Sequence, residues 1–92
     1  MTHPLETKRI GFVGCGAMAR ALAGGLLASG VPAEKMYGTD VDPAQRESFE
    51  ASLAVASGPD SARLVAESDV VVLCVKPGVV LNVLENLKDQ PD

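Results

Sequence analysis

The sequence predicts an α/β fold built on a doubly wound parallel sheet, and three observations carry that prediction. Apolar, β-branched runs alternate with segments of helical period in the order βαβαβαβα. The first run passes into the first helical segment through Gly14-Cys15-Gly16-Ala17-Met18-Ala19, a Gly-x-Gly-x-x-Ala pattern. The last run, Val70-Val71-Val72-Leu73-Cys74-Val75, is continuous and β-branched, the composition of a strand covered on both faces in a parallel sheet. Such alternation winds right-handed and puts a ligand at the carboxyl ends of the strands, where the strand order reverses beside the first strand.

Each element follows from local signals. Residues 1–8 contain Pro4 and lack periodicity, so they read as a loose tail, with His3 a solvated side chain rather than a base or ligand; residues 9–92 form the domain. Arg9 to Val13 is the first strand, and Ala17 to Ser29 is a helix. Met18, Leu22, Leu26 and Ser29 lie along one side of that helix, and Ala17, Ala21, Gly24 and Ala28 along a small-residue side expected to press on the sheet. Gly30 is a left-handed stop, and Pro32 cannot extend the helix.

Lys35 to Asp40 reads as a second strand. Asp42 then caps a helix whose first residue is Pro43 and which runs to about Ser52. A short third strand is expected over Leu53 to Ala56, with the turn at Gly58-Pro59-Asp60. Ser61 to Glu67 reads as a helix with Leu64 and Val65 inward, capped by Asp60 or Ser61. The Val70–Val75 strand is expected near the centre of the sheet. Pro77-Gly78 ends it, and Val80, Val83, Leu84 and Leu87 recur at helical spacing up to the polar stretch Asp89 to Asp92. A fifth strand would normally follow. Without it the Val70–Val75 strand becomes an apolar edge that a further part of the protein, or a second copy in a homo-oligomer, would cover.

Composition narrows the function classes. Ninety-two residues make one small domain, and 47% apolar with 3% aromatic residues implies a core of Val, Leu, Ala and Gly. A net charge of −4 with no cluster of Lys or Arg argues against nucleic acid as a partner. No apolar run is long enough to span a bilayer, and the signal-like stretch from Lys8 to Gly30 is broken by Arg20 and several glycines, so a cytoplasmic protein with no membrane partner is expected. Cys15 and Cys74 form neither a C-x-x-C pair nor a metal-ligand set; both are expected to be free thiols that pack as small hydrophobes, with no metal site.

The glycine pattern is the chemically informative motif. Gly14 lets the chain reverse after the strand, Gly16 removes the Cβ that would hold a pyrophosphate off the backbone, and Ala19 lets helix and strand approach. Free N–H groups at the helix start, aided by the helix dipole, then attract the anion. Asp40, about 20 residues on, is placed to accept hydrogen bonds from an adenosine ribose, which favours NAD over NADP, or else to cap the turn that follows. Arg46 reads either as a group reaching a 2′-phosphate or as a surface residue.

Three segments resemble a known family. Ile10 to Ala19 (Ile-Gly-Phe-Val-Gly-Cys-Gly-Ala-Met-Ala), Ala21 to Gly30 (Ala-x-x-Gly-Gly-Leu-Leu-x-Ser-Gly) and Ser68 to Pro77 (Ser-Asp-Val-Val-Val-Leu-Cys-Val-Lys-Pro) look like the N-terminal dinucleotide-binding domain of pyrroline-5-carboxylate reductase. The resemblance implies a Rossmann-like fold and reduction of 1-pyrroline-5-carboxylate to L-proline, the last step of proline biosynthesis, with NADP(H) or NAD(H) as cofactor. It implies that Gly14, Cys15, Gly16, Ala17 and Met18 surround the pyrophosphate, that Asp40 meets the ribose, and that Val75, Lys76 and Pro77 lie towards the nicotinamide. Ala17 departs from the Asn or Gln common in the family, and Asp40 from its small or basic residues, which leaves the choice of cofactor open.

Members of that family continue into a helical domain that forms the dimer and supplies most of the imino-acid pocket. The resemblance therefore implies a truncated portion, inactive alone, that takes its imino-acid substrate only with that domain, and it assigns no catalytic residue within this chain. Two other classes fit the glycine pattern: a non-catalytic dinucleotide sensor module, and a domain of a β-hydroxyacid or deazaflavin-dependent dehydrogenase.

Overall fold

A computed structural model describes residues 7–74. Its elements are β1 (Ile10–Val13), α1 (Ala17–Ala28), a single 3₁₀ turn (Ala33–Lys35), β2 (Met36–Thr39), α2 (Pro43–Leu53), β3 (Ala56–Gly58), α3 (Ser61–Glu67) and β4 (Val70–Leu73). The strands pair in parallel in the order β3-β2-β1-β4. The chain thus steps outward from β1 to β3 and then crosses back to the other side of β1. That reversal is the one the alternating pattern predicts. Val13 stands opposite both Thr39 and Leu73, so the three strands reach their carboxyl ends in line.

The two faces of the sheet are covered differently. Ile10, Phe12 and Met36 pack in one buried cluster with Ala19 and Ala23 of α1 and Phe49 of α2. Phe12 and Phe49 are fully buried with ring centroids 6.2 Å apart and tilted by 56°. Each such ring contributes about 2 to 3 kcal/mol through the area it removes from water. On the opposite face α3 lies over Gly11, where a Cβ would collide with Leu64 and with the Ser68 hydroxyl, 2.5 Å away. The buried Thr39 shares a 2.9 Å hydrogen bond with Ser61 there.

Several local signals act as the sequence reads them. Gly30 ends α1 with a φ of 111°. Asp42 caps α2 by accepting from the Ala44 amide at 2.9 Å, with Pro43 in the first turn. The cap of α3 is Asp60, which accepts from the Arg63 amide at 3.0 Å, while Leu64 is buried and Val65 half-buried.

Other expectations are corrected. The face of α1 that meets the sheet carries Ala19 and Ala23 with Leu26 and Leu27 beside them, not Ala17, Ala21, Gly24 and Ala28. Alanines at every second position from 17 to 23 leave the helical phase ambiguous, and the tight bend ahead of α1 sets the rotation. The third strand lies at Ala56–Gly58 rather than Leu53–Ala56, because α2 takes Leu53 as its last residue and ends on Ala54 at a φ of 55°. Gly58 accordingly belongs to the strand and not to the turn. The 3₁₀ turn before β2 has no counterpart in the sequence reading.

Among the described residues β4 is an edge strand paired with β1 alone, and its valines are half-buried rather than covered on both faces. The edge expectation matches this arrangement and the central one does not. The Pro77-Gly78 stop, the helix over Val80 to Leu87 and residues 1–6 of the tail lie outside the described residues.

Candidate functional site

The bend between β1 and α1 is fixed by the end of β2. Gly14, at a φ of 104°, takes a conformation that a side chain would strain, and its amide donates to the Thr39 carbonyl at 2.7 Å. The next amide, that of Cys15, donates to Oδ2 of Asp40 at 2.9 Å. Oδ1 of the same carboxylate accepts from the Asp42 amide at 2.9 Å. Two successive donors of the bend are therefore held by two successive residues at the end of β2.

The donors that follow are free. Gly16 is the N-cap of α1 with no side-chain cap, and the first helical bond runs from the Arg20 amide to the Gly16 carbonyl at 3.0 Å. Among the described residues the amides of Gly16, Ala17, Met18 and Ala19 have no acceptor. These are the four orphan donors of a helix start, where the aligned peptide dipoles place about half a positive charge. A Cβ built on Gly16 meets nothing within 4 Å, so the space above that residue is open. Ala17 and Met18 beside it are exposed, Met18 by 64%.

Side chains brace the bend from behind. The Arg20 guanidinium donates to the Cys15 carbonyl at 3.1 Å and to Oε1 of Gln45 at 3.2 Å, joining the bend to α2. Nothing in the glycine pattern marks Arg20 or Gln45 for this role. Cys15 is fully buried, and a Cβ on Gly38 would lie 2.8 Å from its sulfur. Burial, reinforced by the Asp40 carboxylate, pushes the Cys15 thiol up to about 12, so it is a neutral packing group at physiological pH and not a nucleophile. Burial also pushes the Cys74 thiol up. Nε of Arg46 is buried with no hydrogen-bond partner among the described residues.

The structure thus brings Gly14, Cys15, Gly16, Ala17, Met18 and Asp40 together at the carboxyl ends of β1 and β2. Cys15 contributes position rather than a free amide. Asp40 and Asp42 divide the capping work, Asp40 closing the bend and Asp42 starting α2. Val75, Lys76 and Pro77 lie outside the described residues. The arrangement offers an anion a row of amides and offers no activated nucleophile. Among the described residues there is no helix long and apolar enough to cross a membrane, and no group of three His, Cys, Asp or Glu that could hold a metal ion.

A cleft of roughly 620 Å³ opens at the opposite end of the sheet, where Arg9, Lys35, Met36, Tyr37, Leu64 and Glu67 are among its walls. Both charge signs line it, and it lies at the amino ends of β1 and β2.

A doubly wound parallel sheet with open amides after its first strand defines a dinucleotide-type fold. The chain belongs to the family described as NADP oxidoreductase coenzyme F420-dependent, whose profile matches residues 9–92. It is 41% identical over 83 residues to the pyrroline-5-carboxylate reductase of Pseudomonas aeruginosa, covering 90% of this chain and 30% of that protein. It is 37% identical over 84 residues to the enzyme of the same name from Vibrio alginolyticus, covering 91% of this chain and 31% of the relative. The structure of a pyrroline-5-carboxylate reductase from Coxiella burnetii superposes with a TM-score of 0.83 at 35% identity, over 90% of this chain and 31% of that one. The chain therefore spans about a third of the length of the relatives it matches.

Proposed function

We propose that the chain is the NAD(P)H-binding portion of a pyrroline-5-carboxylate reductase, an enzyme that reduces 1-pyrroline-5-carboxylate to L-proline. The observation that carries this reading is the run of amides from Gly16 to Met18, unpartnered among the described residues, beside the open space left by Gly16. A pyrophosphate is the anion such a run fits, and the similarity to pyrroline-5-carboxylate reductases supplies the substrate class.

When bound, the cofactor supplies a hydride from its nicotinamide ring to the imine carbon. The chain's own residues hold and orient. Gly16, Ala17 and Met18 donate amides to the pyrophosphate, Gly14 and Cys15 shape the bend beneath them, and Asp40 faces the adenosine ribose. Val75, Lys76 and Pro77 are assigned to the nicotinamide side on the resemblance alone. Hydride transfer needs placement at near-attack distance rather than a nucleophile, which accords with the inert Cys15 thiol. The imino-acid pocket belongs to a part of the enzyme that this chain does not span.

The test uses the full-length natural protein. Addition of 1-pyrroline-5-carboxylate is expected to oxidise NADH or NADPH, followed as loss of nicotinamide absorbance, with proline as product. Absence of turnover under conditions where the cofactor binds would remove the reductase reading and leave a binding module.

A further inference from the structure

We infer that Arg20 is a positioning residue of the anion site: its side chain fixes the direction in which the Gly16 amide points. This rests on the dinucleotide reading of the bend. A peptide unit is planar and trans, so its N–H and C=O point in opposite directions, and holding one aims the other. The Cys15 carbonyl and the Gly16 amide belong to one such unit. Nη1 of Arg20 donates to that carbonyl at 3.1 Å and also to Oε1 of Gln45 at 3.2 Å, so the guanidinium is tied to α2 while it holds the plane. The Gly16 amide therefore faces away from Arg20, and among the described residues no acceptor meets it.

The next plane is held by the same residue in a different way. The Gly16 carbonyl accepts from the main-chain amide of Arg20 at 3.0 Å, which aims the Ala17 amide. Any residue but proline at position 20 supplies that bond. Only a long donor side chain supplies the other.

The Cys15–Gly16 plane needs such a hold because Gly16 has no Cβ. Gly16 sits at a φ of −75°, and a half-turn of the plane would carry it to positive φ, which glycine adopts about as readily. A carbonyl would then face the anion. The preceding plane is already held through the Cys15 amide and Asp40, and the following one by the first bond of α1, so this plane alone depends on Arg20's side chain. Arg20 and Gln45 are half-buried, and a bond from an ionised donor is stronger than one between neutral groups.

Isothermal titration of the full-length protein with NADH and NADPH tests this, beside residue-resolved amide exchange at saturating nucleotide and a thermal melt. Arg20→Met keeps an apolar stem and removes both side-chain bonds. It is expected to weaken NADH and NADPH about 10-fold each, as the loss of one aimed amide implies, with their ratio unchanged. In the bound wild-type protein the Gly16 and Ala17 amides should both be protected; in bound Arg20→Met protection should be lost at Gly16 and kept at Ala17. Gln45→Leu leaves the charge and the donor in place and removes the tether, and should weaken both nucleotides about 3-fold.

Unchanged affinity in Arg20→Met, or equal loss of protection at Gly16 and Ala17, overturns the positioning role and leaves the proposed function standing. If Arg20→Met does not fold, Gln45→Leu decides, and wild-type affinity with wild-type Gly16 protection in that variant overturns the role. Failure of the wild-type protein to bind either nucleotide overturns the dinucleotide reading and this inference together.

Discussion

The two ends of the sheet differ in what they offer a ligand. At the amino ends a cleft of roughly 620 Å³ is walled by side chains of both charge signs. At the carboxyl ends, among the described residues, the amides of Gly16, Ala17 and Met18 have no acceptor beside a glycine whose missing Cβ leaves open space. The cleft and the row of amides therefore lie at opposite ends of the sheet. The amide end is set by backbone geometry, and the end of β2 fixes that geometry through Thr39 and Asp40. The lesson is that in a doubly wound sheet the informative vacancy is an unmet hydrogen bond rather than a hollow.

Substitutions at the two ends should have opposite signatures. Gly16→Val gives the largest expected effect. Its Cβ meets nothing within 4 Å among the described residues, so the melting temperature should hold, while the side chain blocks the pyrophosphate and dinucleotide affinity falls more than about 100-fold, roughly 3 kcal/mol. Calorimetric titration beside a thermal melt checks both halves, and wild-type affinity would move the site away from the bend.

Gly38→Ala should act on stability instead. Its Cβ would lie 2.8 Å from both the Cys15 sulfur and Cε1 of Phe49, and overpacking of this kind costs about 1 to 3 kcal/mol in urea unfolding. A next, smaller effect is pH dependence. The Cys15 thiol, raised from 9.0 to about 12, stays protonated in the folded chain at a pH where the unfolded chain has ionised. Its contribution to stability is complete below pH 9 and is lost as pH rises towards 12, at a slope of at most about 1.4 kcal/mol per pH unit. Comparing the slopes of unfolding free energy for wild type and Cys15→Ala isolates this group from Cys74. Equal slopes would show that the sulfur titrates freely.

At the amino end little should happen to binding. Lys35→Glu reverses a charge on the cleft wall one strand length away, about 13 Å by strand rise, which is beyond the screening length of physiological salt. Dinucleotide affinity is expected to stay within about 2-fold of wild type. A larger loss would make the cleft part of the site. Smallest of all, Arg63→Ala removes a surface ion pair to Glu67 of 3.3 Å, and chemical unfolding should register less than about 0.5 kcal/mol.

Much of this was legible in the sequence because local signals and the global pattern agree. The alternation of runs, the Gly14 and Gly30 turns and the Asp42-Pro43 start of α2 each have a short-range physical cause, and each appears where that cause puts it. Features that depend on distant partners were not legible. No spacing rule shows that Asp40 holds the Cys15 amide, because that bond joins residues 25 positions apart. The Arg20 brace to Gln45 is hidden for the same reason. Position-level errors have local causes: repeated alanines blurred the phase of α1, and Ala54 ends α2 in a left-handed conformation that a glycine or asparagine would have announced.

Amide hydrogen exchange, residue by residue, reaches the bend most directly. In the nucleotide-free protein the Gly14 and Cys15 amides are expected to be protected by Thr39 and Asp40, while those of Gly16, Ala17 and Met18 exchange rapidly. Saturating dinucleotide should slow the second group and leave the first as it was. If all five are already protected without nucleotide, or if the second group keeps exchanging rapidly at saturation, the row of free amides is not the binding site.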